Sequence, residues 1–232
     1  MTEKQTIQSL VTLFAEKFLE EHFGETPDKT TVTFRPPFLL IHLSGFLMPS
    51  EEIFVEKGNL DNVLKTRDII IDSEKDQFLK GLQEHTGQNF RDLYADWNLT
   101  KRSGVFIAVM ENVHPTDVFH WPQGVQEDTL REIIILNSIR TQKKPDQTNF
   151  YWLDEHILLV ERIGILIDIE KQLLKNGLAE ELRLAKRPME QRIIELFNLE
   201  SILNSTVQEL FVDWNFQQDL SYMLLLLKKQ DE

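Results

Sequence analysis

Apolar residues recur at helical spacing at Ile7, Leu10, Val11, Phe14 and Phe18, and again at Leu130, Ile133 and Ile134, which predicts two amphipathic helices far apart in the chain. Each leads into the same succession of patterns. After the first helix, Gly24 and Pro27 mark a turn, and the β-branched and aromatic run 31–34 reads as a strand. Arg35-Pro36-Pro37 forces a bend, since neither proline can donate to a ladder. Phe38 to Ser44 is the next strand and ends at Gly45. Pro49, Ser50, Glu51 and Glu52 resemble a helix start, with the acidic pair near the positive end of the dipole. Helices are expected over 51–69, interrupted at Gly58, and over 73–85, followed by a hairpin of strands 90–96 and 105–111. In the second half, strands are expected near 148–153 and 156–163, helices within 168–203, and strands near 206–213 and 220–228. The order is α-β-β-α-α-β-β, twice. The fold class is α+β: two tandem units, each an antiparallel four-stranded sheet with one apolar face covered by helices.

Two anchors align the halves. Asp96-Trp97-Asn98 returns as Asp213-Trp214-Asn215, 117 residues later, in a chain with only 4 Trp. At an offset of 119, Leu39, Leu40, Gly45, Leu47, Glu51 and Gly58 meet Leu158, Leu159, Gly164, Leu166, Glu170 and Gly177. A two-residue deletion between the anchors reconciles the offsets. The expected division is a first unit over 1–113, a linker over 114–124 around Pro115, Pro122 and Gly124, and a second unit over 125–232.

Composition narrows the function. With 41% hydrophobic residues in 232, the chain can bury a core, and 0 Cys removes disulfides and thiolate chemistry. A net charge of −13 opposes phosphate backbones, so no nucleic-acid partner is expected. The polar start Met-Thr-Glu-Lys-Gln-Thr predicts no leader, and no apolar run approaches the roughly 20 residues a spanning helix needs. A cytoplasmic protein without direct membrane insertion is expected.

Candidate chemistry is sparse. The segment from His114 through Asp117 to His120 holds two imidazoles and a carboxylate, but it has no counterpart in the second half, and no metal site or cofactor is expected there. Glycine strings that cradle phosphate are absent. The repeated tripeptide falls where a strand enters a turn. Its Asp and Asn suit hydrogen bonds to a turning backbone, and its Trp suits the core edge. As ligand or partner residues, the candidates are Asp96, Trp97, Asn98, Asp213, Trp214, Asn215 and His42; no catalytic residue is assigned, because no nucleophile, base and oxyanion donor converge. Gly45 and Gly164 are expected at a close approach or a positive φ, and Glu51 and Glu170 at helix N-termini.

The passage Phe38-Leu39-Leu40-Ile41-His42-Leu43-Ser44-Gly45-Phe46-Leu47-Met48-Pro49-Ser50-Glu51-Glu52, with the later Asp96-Trp97-Asn98, resembles the MpsC-like family. The second unit departs from it, with Ile163 for Ser44 and Asp168-Ile169 for Pro49-Ser50. That family is named for a component of a bacterial sodium-linked membrane-potential-generating system, also connected with uptake of dissolved inorganic carbon. The resemblance implies a non-catalytic cytosolic accessory protein whose partner is a protein, in a membrane complex. The two units are expected to pair as an internal pseudo-dimer, with further homo-oligomerisation open. The alternative is a small-molecule binding or sensing protein with a pocket between the units.

Overall fold

In a computed structural model that describes residues 3–113, 119–195, 197 and 199–229, the chain divides into two units, Met1–Asp117 and Val118–Glu232. His114 and residues 114–118 of the expected linker lie outside the described residues.

In the first unit, α1 (Glu3–Phe23) turns Val11, Ala15, Phe18, Leu19 and Phe23 inward, the spacing of one helical stripe. The strands β1 (Lys29–Arg35) and β2 (Phe38–Ser44) form a hairpin in which Arg35 faces Phe38, so Pro36 and Pro37 occupy the turn, joined by a cis bond. Neither proline is asked to donate a ladder hydrogen bond there, and Pro37 O accepts the N–H of Met110 at 2.8 Å. Next come α2 (Pro49–Glu56), α3 (Leu60–Thr86), β3 (Phe90–Asn98) and β4 (Ser103–Met110). All pairings are antiparallel in the order β1-β2-β4-β3, which puts β1 and β3 at the edges.

Leu39, Ile41 and Leu43 of β2, Phe106 and Ala108 of β4, and Leu93, Ala95 and Trp97 of β3 pack on the helices. Phe18, Phe78 and Phe106 form the centre, with ring centroids 4.7 and 5.1 Å apart. The alternate positions Phe38, Leu40, Val105, Ile107 and Val109 are also buried, so the two central strands, β2 and β4, are largely apolar on both faces.

The helix break expected between 69 and 73 is absent. The interruption expected at Gly58 is present: Gly58 takes φ +73° and its N–H bonds Val55 O at 3.0 Å, and α3 then runs uninterrupted for 27 residues. Asp72 and Ser73 are polar but do not block a helix, and the Ser73 hydroxyl donates to Ile69 O at 2.8 Å.

The second unit repeats the plan with α4 (Glu127–Thr141), β5 (Gln147–Asp154), β6 (Ile157–Ile163), α5 (Asp168–Lys175), α6 (Ala179–Glu195), α7 (Leu199–Leu203), β7 (Ser205–Asn215) and β8 (Leu220–Lys229). Its sheet order is β5-β6-β8-β7, again fully antiparallel. The helix corresponding to α3 is divided into α6 and α7. Its core joins Leu130, Ile133 and Ile134 of α4 to Leu158, Val160, Met223 and Leu225, and to Leu199, Ile202 and Leu203 of α7.

Candidate functional site

The repeated tripeptide ends an edge strand in each unit. Asn98 Oδ1 accepts the N–H of Lys101 at 3.1 Å and Asn215 Oδ1 that of Gln218 at 3.1 Å, the turn-closing role their residue type suits. Both indoles enter the core at 2% exposure, on the side facing the helices. The aspartates, one position earlier, alternate to the opposite face. Asp96 and Asp213 are buried there, and Asp213 Oδ1 accepts the N–H of Trp214 at 2.7 Å and the guanidinium of Arg183.

Strand register brings His42 into the same row as Asp96. His42 and Asp96 both pair with Val105, on either side of β4, and Thr31 completes the row across the sheet. The corresponding row of the second unit is Asn149, Glu161, Tyr222 and Asp213, so a carboxylate stands where the first unit has His42. Glu161 is 7% exposed and is held by neutral donors: Tyr222 OH at 2.6 Å, Asn149 Nδ2 at 2.8 Å and Tyr151 OH at 3.1 Å. Three such donors satisfy a buried carboxylate and fix its direction. The same row therefore joins His42 with Asp96 in one sheet and Glu161 with Asp213 in the other.

A second constellation joins the repeated glutamates and tryptophans through buried cations that the sequence pattern does not mark. Glu51 caps α2 by accepting Met48 N–H at 3.1 Å, and it also receives the Arg67 guanidinium from α3, Nε to Oε1 at 2.8 Å and Nη2 to Oε2 at 2.5 Å. Arg67 is fully buried, donates to Phe46 O at 3.3 Å, and lies 4.5 Å from the Trp97 ring centroid and 4.8 Å from that of Phe46. In the second unit Glu170 caps α5 through Ile167 N–H at 3.0 Å and accepts Lys186 Nζ at 2.6 Å, with Lys186 5.6 Å from the Trp214 ring. A capping glutamate, a buried cation and the tripeptide Trp thus recur as a set. Burial holds the Lys186 ammonium below its ordinary pKa, against the raising effect of its Glu170 hydrogen bond and of the Glu190 and Glu170 charges; the Arg162 charge adds to the lowering.

The glutamate and the Trp of this set are identical in the two units, but the cation between them is Arg67 in one and Lys186 in the other. The signal available was a cation on the apolar stripe Val63, Arg67, Ile71, with a second cation 119 residues later.

Elsewhere the same offsets relate contacts whose chemistry has changed. Glu52 pairs with Arg102, while at the matching places Lys171 pairs with Asp219 at 3.5 Å, with the signs exchanged. Leu43 and Ile71 of the first core correspond to Arg162 and Glu190, a fully buried ion pair at 2.6 Å. Arg162 also donates to Ser221 Oγ at 3.1 Å and Ser138 Oγ at 3.3 Å, and Glu190 accepts Gln142 Nε2 at 2.5 Å.

Neither row nor capping set assembles a nucleophile with a base and an oxyanion cradle. Among the described residues, no group of three or more His, Asp or Glu is arranged to hold a metal ion. An open groove of about 470 Å³ lies along α1, lined by Gln8, Ser9, Thr12 and Leu13, which are not among the sequence candidates.

A family model described as Na+-translocating membrane potential-generating system (MpsC) matches residues 3–112. No curated protein and no solved structure matches the chain.

Proposed function

The first unit of the chain belongs to the MpsC family, and from that premise we propose that the protein is a non-catalytic accessory of a Na+-linked membrane-potential-generating system, acting from the cytosol through protein partners in the membrane. The family match over residues 3–112 carries this reading. Two features are in keeping with it. No described helix is long and apolar enough to cross a membrane, so attachment would run through a partner. Of the polar residues that the repeat singles out, Asn98 and Asn215 close turns, Glu51 and Glu170 cap helices and hold buried cations, and Asp213 pairs with Arg183. On this reading, Asp96-Trp97-Asn98 and Asp213-Trp214-Asn215 hold the hairpins that present a partner surface, rather than a reacting group.

The test is a deletion strain in which membrane potential is followed with a voltage-sensitive dye as external Na+ is varied. The Na+-dependent component should fall and return on expression of the full chain. An unchanged Na+ response in the deletion strain defeats the proposal. Crosslinking of the tagged full chain in intact cells, with membrane proteins retained, identifies the partner.

A further inference from the structure

The two units share a backbone plan closely enough that either helical segment could be offered to either sheet. The strands β2 and β6 each have seven residues, and α2 and α5 each have eight. A tandem pair of this kind has a characteristic failure, in which segments exchange between units or between copies of the chain while folding.

We propose that two of the contacts whose chemistry differs between the units, Leu43 with Ile71 against Arg162 with Glu190, and Glu52 with Arg102 against Lys171 with Asp219, form a pairing code that keeps each helical segment on its own sheet. The code has a buried and an exposed part. In the native pairing, Ile71 of α3 belongs with the Leu43 core, and Glu190 of α6 meets Arg162 of β6. With α6 on the first sheet, Glu190 would be buried against Leu43. With α3 on the second, Arg162 would be buried against Ile71. Each exchange strands a charge in the core, which disfavours it on the order of a hundredfold or more. At the surface, the same exchanges would set Lys171 against Arg102 and Glu52 against Asp219, replacing two attractions with two repulsions.

The contacts that do not discriminate are internal to one segment. Glu51 with Arg67 and Glu170 with Lys186 travel together in any exchange, and these kept the same sign in both units. Discrimination is thus confined to contacts between a helical segment and a sheet or its hairpin turn.

The code is tested by erasing it in the full chain. In R162L/S138L/E190I the second unit receives the residues found at Leu43 and Ile71, and Ser138, which would lose its Arg162 donor, becomes Leu like the equally buried Leu19 lying 119 residues earlier on α1. An apolar replacement of a buried ion pair is expected to leave stability equal or higher, so the urea midpoint should not fall. Refolding should nevertheless suffer. After dilution from urea over a range of protein concentrations, the fraction regaining the elution volume and mass of never-denatured protein should drop by about threefold or more relative to wild type, and further as concentration rises. A second variant, E52K/R102D, gives the first unit the surface pair of the second and leaves both cores intact; Asp already occupies the matching position at φ 49°, close to the 53° of Arg102. It should show a smaller loss at unchanged midpoint. Should the core variant prove less stable than wild type, E52K/R102D alone decides. Recovery equal to wild type in E52K/R102D, or in a core variant of undiminished stability, at every concentration overturns the proposal.

Discussion

Replacing Arg67 by Met removes the cation from beneath Trp97 while preserving most of the side-chain volume. The loss can be worked from its surroundings. Arg67 is fully buried, makes two hydrogen bonds to Glu51 and one to Phe46 O, and leaves behind a carboxylate only 6% exposed. Breaking one side of such a pair costs about 3–5 kcal/mol, because the remaining charge stays buried without its counter-ion. Against a total of about 5–15 kcal/mol for a domain, R67M should bring the first unit near its stability limit. E51Q/R67M leaves a neutral acceptor for Met48 N–H and no stranded charge, so it should recover about half of that loss. Trp97 is the single Trp of residues 1–117. Incorporated 5-fluorotryptophan therefore gives one fluorine resonance for the first unit, which can be followed through a urea titration. A cost below about 1 kcal/mol for R67M, or a double variant as damaged as the sum of the two singles, would refute the assignment of Arg67 and Glu51 as a mutually dependent buried pair.

Three further outcomes are expected. Gly45→Ala should cost more than Gly58→Ala in thermal or urea unfolding: both glycines have positive φ, worth about 1–2 kcal/mol, but only at Gly45 does an added Cβ run into the Asp28 carboxylate. Equal costs would show that the Asp28 contact yields freely. Lys186 supplies a pH dependence. Its folded pKa is lowered, so between that value and the ordinary lysine value of 10.5 the unfolded chain binds more protons, and this group's contribution to stability rises with pH across the window. Wild type should therefore gain on Lys186→Arg, which stays charged, as urea midpoints are compared from pH 8 upward; a widening deficit would mean that burial does not dominate at Lys186. Finally, a double-mutant cycle on Glu52 and Arg102, whose side chains are 42% and 56% exposed, should give a coupling of at most about 1 kcal/mol that fades in 0.5 M salt. A salt-insensitive coupling of several kcal/mol would contradict that exposure.

The sequence pattern located the strands well because turn chemistry bounds them. Pro36-Pro37, Gly45 and the Asn98 and Asn215 turns each fall at a strand end, and β2 occupies the expected span Phe38–Ser44. The capping role of Glu51 and Glu170 was equally readable, since an acidic residue three places into a helix has few other uses. Within the long helices the pattern was weaker. The pattern divided the helix between 69 and 73, but tertiary packing of Val63, Ile71, Phe78 and Leu82 sustains it through the polar Asp72 and Ser73. The buried cations were hidden for a related reason: a Lys or Arg on a helix ordinarily reads as surface, and only its partner, distant in sequence, shows otherwise. Nor could linear spacing show that His42 and Asp96 lie in one row, because the strand that joins them, β4, follows both in the chain.

The ion pairs also differ in how freely their polarity can be inverted within the one plan that both units share. To invert a pair, a lineage must pass through an intermediate in which both members carry like charge, or one is neutral. At Glu52 and Arg102 that intermediate is half hydrated and close to neutral in cost, and the matching pair Lys171 and Asp219 is inverted. At Glu51 and Arg67 it would trap like charges in the core and unseat the cap of α2, and the matching pair Glu170 and Lys186 keeps its polarity. The depth of each pair thus acts as a ratchet on its history, leaving surface polarity free to drift between the copies while the polarity beneath the tryptophans stays fixed.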